Sequence, residues 1–291
     1  MSSPSFNIWQ DVTRMLQYDF MRQAFMIGGM LSLVAGFIGY FVVLRHQAFA
    51  GESLSDVAFT GAIGGAALGI NPLLTLLVTT IAVALGMGGL GERLRGRDVA
   101  IGTMLAWVLG LGALFLHIYS ARGSGSGTGF SGVSILFGNI LGIPAAQTAT
   151  IVWVSVLTLA ILAVVARPLL FASLDPAVAA VRGVPVRALG LLFMVLLALT
   201  VSEATLAVGA LLVFALVLLP AATAQQLTMR PYRALLLGAG IALACMWLGL
   251  TLGFYSGLPT SVCVSGLACL GYAAALLWRR YAGGVVKSAS M

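Results

Sequence analysis

Charge is what this chain has least of. Asp, Glu, Lys and Arg make up 8% of its 291 residues, whereas 60% are apolar and the mean hydropathy is +1.08. A soluble domain has about a quarter of its residues charged, so a water-solvated fold is excluded and lipid is the natural solvent for most of the surface. Histidine is almost missing: His46 and His117 are the whole complement, too few for a conventional histidine-metal enzyme centre. The three cysteines, Cys245, Cys263 and Cys269, fall in apolar stretches without a CxxC pair or a neighbouring histidine, so neither a disulfide framework nor a zinc site is read. GxxxxGK[ST], HExxH and GxSxG with matching partners are all absent. The chain therefore carries no ATP-hydrolysing site of its own and no recognisable enzyme centre, and no cofactor is expected to be bound permanently.

What is present is a succession of apolar segments. A membrane-crossing helix needs roughly twenty mostly apolar residues, and such runs occur at 24–44, 50–69, 72–90, 99–118, 148–166, 187–203, 204–223, 234–255 and 259–279. The expected fold is an all-α polytopic membrane protein of about nine transmembrane helices. The apolar run from Ser134 to Pro144 is too short to cross and reads as a re-entrant or interfacial helix. Very short hinges are expected from Gly69 to Pro72 and around Ser202 and Glu203. Residues 1–23 lack a cleavable signal pattern and space Phe6, Ile8, Trp9, Val12, Met15 and Leu16 as an amphipathic surface helix would. Residues 24–280 form the transmembrane domain and 281–291 a cytoplasmic tail.

The formal charge of +7 belongs to topology rather than to nucleic acid. With the N-terminus outside, the cytoplasmic loops hold Arg45, Arg93, Arg95, Arg97, Arg167, Arg182, Arg187, Arg230, Arg233, Arg279, Arg280 and Lys287. Arg14, Arg22 and Arg122 stay outside, and the positive-inside rule selects N-out, C-in.

Two features stand out against this background. Glu52 and Asp56 lie four residues apart at the start of the second span, so they share a helix face, where like charges repel. Burying carboxylates in a membrane costs several kcal/mol each, so a cation held between them is one reading. A cytoplasmic surface pair, with Glu52 beside Arg45, is the other. In the longest cytoplasmic loop, Arg167 to Arg187, Asp175 followed by Pro176 starts a short helix over Ala177 to Val181, and Gly183 with Pro185 ends it. Such a helix either docks on a partner or is a plain interfacial turn. Glu203 at an outer hinge, His117 near an outer helix end and Asn139 in the short apolar run are candidates for an outer vestibule. Each also has a bland reading, as a solvated turn residue (Glu203) or a boundary histidine (His117). Pro220 is expected to kink the seventh span.

Six blocks in order carry a resemblance. "GYFVVLRHQAFAGESLSDVAFTGAIGGAALGINPL", "GERLRGRDVAIGTMLAWVLGLGALFL", "LFGNILGI", "LDPAVAAVRGVPV", "VGALLVFALVLLPAATA" and "GLPTSVCVSG" resemble the zinc/manganese class of ABC-transporter permeases, the ABC-3 family, over roughly residues 15 to 280. The resemblance implies an ATP-driven importer of divalent transition metal ions (Mn²⁺, Zn²⁺ or Fe²⁺) in a bacterial cytoplasmic membrane. Its pore would be a homodimer of this chain, served by a cytoplasmic ABC ATPase dimer and an extracytoplasmic metal-binding protein. It also implies that 175–184 is the coupling helix, with Asp175, Pro176, Ala177, Ala180 and Gly183 in ATPase coupling, and that Glu52 and Asp56 hold the metal. Related permeases have Gly-Asp-x-x-x-His where this chain has Gly51, Glu52 and Asp56. The replacement of nitrogen by oxygen favours Mn²⁺ or Fe²⁺ over Zn²⁺. A permease for metal chelates of the siderophore or cobalamin type is the alternative, and it leaves the paired acids unexplained. A membrane-embedded enzyme would need a nucleophile or metal triad that the sequence does not offer.

Overall fold

The computed structural model describes residues 18–89, 97–121, 138, 140–143 and 145–288. Residues 1–17 of the N-terminal segment and Asn139 lie outside the described residues, as does most of the short apolar run, whereas residues 19–23 open α1. Ten α-helices and one 3₁₀ turn make up the described chain: α1 Asp19–Leu44, α2 Ala48–Leu68, α3 Pro72–Gly89, α4 Arg97–Ala121, the 3₁₀ turn Ile140–Gly142, α5 Ala145–Leu174, α6 Pro176–Val181, α7 Val186–Val208, α8 Ala210–Leu227, α9 Pro231–Ser256 and α10 Thr260–Ser288. No strand occurs among the described residues.

Seven of these helices are long and apolar enough to cross a membrane: α1, α3, α4, α5, α7, α9 and α10. The two other long helices differ for identifiable reasons. Helix α2 carries two acids and several hydroxyls, and α8 offers only a short apolar run, Leu212–Leu227.

In lipid the hydrophobic effect does not drive helices together, so close packing must. Helix α1 is the axis of the bundle, lined with side chains of zero exposure such as Ile27, Leu31, Val34, Ile38 and Phe41. It packs on α7, α8 and α9. Two glycines allow the backbones to meet. A Cβ on Gly36 would stand 2.5 Å from the Ala239 Cα of α9, and one on Gly39 would overlap the Val217 carbonyl oxygen of α8. Gln225 Nε2 then donates to the Tyr40 carbonyl at 3.1 Å, fixing the end of α8 against α1. Helices α3 and α4 flank α2 on the opposite side of the bundle, and α10 covers α8 and α9.

Two sequence expectations about helix ends are corrected. Helix α5 does not stop near residue 166; it continues through Pro168 to Leu174, although a proline inside a helix removes a hydrogen bond and crowds the carbonyl four residues back. The hinge expected around Ser202 and Glu203 sits instead at Gly209. Polar side chains suggested an exposed turn there, but Gly209 adopts φ 89° and ψ 152°, a conformation that glycine alone reaches without strain. The hinge from Gly69 to Pro72 is where the sequence places it. Gly69 closes α2 at φ 73°, with Ile70 N–H donating to Gly65 O and Gly69 N–H to Ala66 O, a Schellman ending. Asn71 Oδ1 then accepts from Leu73 N–H at 3.0 Å, starting α3.

Candidate functional site

Helix α2 is buried on nearly every side. Its glycines lie against neighbours: Gly61 and Gly65 meet Thr79 and Thr75 of α3, and Gly64 meets Phe115 of α4. Thr60 Oγ1 donates to the Val108 carbonyl of α4 at 3.3 Å. One strip stays open, and it contains Phe49, Glu52, Asp56 and Phe59 at helical spacing. Glu52 is exposed and Asp56 half-buried, so the structure brings these two acids together on the open strip of an otherwise enclosed helix. Gly51, beside them, has nothing within 4 Å of where a Cβ would be, and it lines a small cleft with Val201, Val213 and Phe214 of α7 and α8.

A side chain missed in the sequence fixes this strip. Ser55 is buried and donates through Oγ to the Ala210 carbonyl at 2.8 Å. Ala210 opens α8 directly after the Gly209 break. The acids therefore sit beside the point where α7 gives way to α8, tied there by a hydroxyl that sequence reasoning passed over as ordinary helix filler. A serine one position before an acid in an apolar helix is the signal that would have found it.

The other candidates lie elsewhere. His117 is exposed on α4, two residues beyond the Phe115 that meets Gly64. Gly64 is eight residues from Asp56, about 12 Å along a helix, so His117 does not join the acids. Glu203 is not a hinge residue: it lies within α7, 5% exposed, and its Oε2 accepts from Ser155 Oγ of α5 at 2.8 Å. No group of three or more His, Cys, Asp and Glu side chains is assembled within this chain among the described residues. Glu52 and Asp56 are two oxygen-bearing groups, short of a full shell for a hard divalent ion.

The short helix forms as its sequence signals. Asp175 Oδ1 accepts from Val178 N–H at 3.0 Å and Pro176 occupies the first turn. Gly183 follows at φ 80°. Ala179 is fully buried and seats α6 on the bundle, whereas Ala177, Ala180 and Gly183 are exposed, with Val178 at 44% and Val181 at 89%. The helix thus offers an apolar face away from the protein.

The model of the ABC 3 transport family matches residues 17–279. The manganese transport system membrane protein MntC of Halalkalibacterium halodurans is 31% identical over 75% of this chain and 73% of its own length. The manganese import system permease protein ScaB of Streptococcus parasanguinis is 28% identical over 85% of this chain and 86% of its own. Among solved structures, PsaBC from Streptococcus pneumoniae in complex with Fab superposes with a TM-score of 0.79 over 92% of this chain and 95% of the matched chain, at 24% identity.

Proposed function

The chain belongs to the ABC 3 transport family, and on that premise we propose that it is the membrane-spanning permease of an ATP-driven importer of divalent metal ions, with Mn²⁺ as the cargo. The names of its relatives support manganese. The observation that carries the reading is the placement of Glu52 and Asp56 on the open strip of α2, beside the α7–α8 break. Oxygen ligands suit Mn²⁺ better than softer ions.

In this reading two copies of the chain face each other across that strip. Each contributes two carboxylates, and four together approach the oxygen count a hard cation takes. Without the ion, the like charges one helical turn apart repel, so the ring favours a cation and holds it loosely enough for release. Nine helices cross the membrane with the N-terminus outside, an arrangement supported by arginines near corresponding helix ends: Arg45, Arg182, Arg230, Arg233, Arg279 and Arg280. ATP is hydrolysed by a cytoplasmic ATPase dimer, against which the exposed face of α6 docks, and an extracytoplasmic binding protein delivers the ion.

Uptake of labelled manganese, iron and zinc in a strain lacking the permease tests this. The strain is complemented with wild type, Glu52→Ala or Asp56→Ala at equal membrane abundance. The expected result is a loss of manganese uptake of about tenfold or more in both variants, the scale seen when support for a metal is removed. Unchanged uptake would return both acids to the protein surface.

A further inference from the structure

Glu203 is unused by the route just described, and its surroundings are unusual for a carboxyl group. It is 5% exposed between helices that lipid surrounds, and Ser155 donates to one of its oxygens. The second oxygen, Oε1, is buried with no hydrogen-bond partner. Thr158, one turn along α5 from Ser155 and therefore on the same face of that helix, is 1% exposed, and its Oγ1 is likewise without a partner. Ser202 and Thr205 also hold buried, unpartnered hydroxyls, but they lie about 100° and 160° around α7 from Glu203 and face other neighbours. Ser155 thus meets the carboxyl directly, Thr158 follows one turn on along the same face of α5, and unsatisfied oxygen is present on both helices.

Among the described residues no charged side chain pairs with this group. Helix α7 packs on α1, α2, α3, α5, α6 and α8. Within those helices α3, α6 and α8 carry no ionisable side chain. Arg167 of α5 is twelve residues from Ser155, about 18 Å along the helix, and Arg187 of α7 is sixteen from Glu203, about 24 Å. The ionisable groups of α1 (Asp19, Arg22 and Tyr40) and of α2 (Glu52 and Asp56) form no hydrogen bond or ion pair with it. A bare carboxylate so enclosed costs several kcal/mol, and removing one charge is enough to relieve that cost. A divalent ion would leave a net positive charge in the same apolar surroundings, and the four oxygens of one carboxyl and two hydroxyls fall short of the six it requires.

We propose that Glu203, with the hydroxyls of Ser155 and Thr158, is a binding site for a monovalent cation, a proton or a sodium ion, separate from the passage of the divalent cargo. The site does not depend on which ion is transported, so its test needs neither ATP nor metal. The full-length chain in lipid nanodiscs is unfolded thermally in two series. One exchanges sodium for choline at constant ionic strength, and the other varies pH in choline alone. Wild type is compared with Glu203→Gln, which keeps the shape and loses the charge. For sodium, the wild-type midpoint rises to a plateau with sodium and the variant does not respond. For a proton, sodium has no effect, and the wild-type midpoint falls as pH rises relative to that of the variant. Parallel behaviour of the two proteins in both series overturns the proposal. Thr158→Ala leaves the Ser155–Glu203 bond in place and guards against a variant at 203 that fails to fold. It is expected to weaken whichever response wild type shows, and an unaltered response in it also overturns the site.

Discussion

Adding one methyl group to Gly36 tests the packing that holds the bundle together. The Cβ would stand 2.5 Å from Ala239 Cα and 2.8 Å from Ala239 N, whereas ordinary contacts begin at 3.4 Å. Both neighbours are backbone atoms of α9, so rotamer adjustment gives no relief and the helices must part by about 0.9 Å. A gap of about 0.5–1 Å forfeits a quarter to a half of the dispersion energy of each affected contact. Overpacking of this kind costs about 1–3 kcal/mol. Gly240 is the control, because a Cβ there meets nothing within 4 Å. Gly240→Ala is expected to be neutral or to stabilise α9 by up to about 1 kcal/mol through helix propensity. The assay is the thermal midpoint of the purified full-length chain. Gly36→Ala should lower it by roughly 2–4 °C per kcal/mol, the scale for domains of 150–250 residues, while Gly240→Ala leaves it level or raises it. Equal midpoints for Gly36→Ala and wild type would refute the backbone-contact account of the α1–α9 crossing.

Two further outcomes follow from the site residues. Asp175→Ala removes the side-chain acceptor of Val178 N–H and should weaken α6 by about 1 kcal/mol. ATP-dependent uptake should then fall at unchanged membrane abundance, with Asp175→Asn restoring it because asparagine caps equally well. His117→Ala should leave manganese uptake within the error of wild type, since the exposed ring lies apart from Glu52 and Asp56; a clear loss would place α4 on the route.

The helices were legible because lipid imposes a simple rule on composition: the long apolar runs became helical, with 204–223 alone broken at Gly209, and Gly69, Asn71 and Pro72 announced their turn through local chemistry. Asp175 and Pro176 were legible for the same reason, because a cap is made by the residue itself. Glu203 and Ser155 were not. Their bond joins residues 48 positions apart, and no local signal says that a carboxyl in an apolar run faces a hydroxyl rather than water. The same blindness moved the α7–α8 break to the wrong residue, since polarity at 202–203 outweighed a single glycine at 209. Ser55 was hidden similarly, its acceptor lying on α8. Spacing alone showed that Glu52 and Asp56 share a face, but that this face is the open one depends on how α3, α4, α7 and α8 enclose the rest of α2.

Helix α6 also bears on how such a protein is made. Val178 and Val181 project from a helix seated by Ala179 alone, so a newly inserted copy shows two bare valines there. Surfaces of that kind are what chaperones and proteases inspect. If the proposed ATPase covers α6, an excess of this subunit over that partner would be turned over quickly. Production of intact material would then begin from a bicistronic design in which the proposed ATPase is synthesised first.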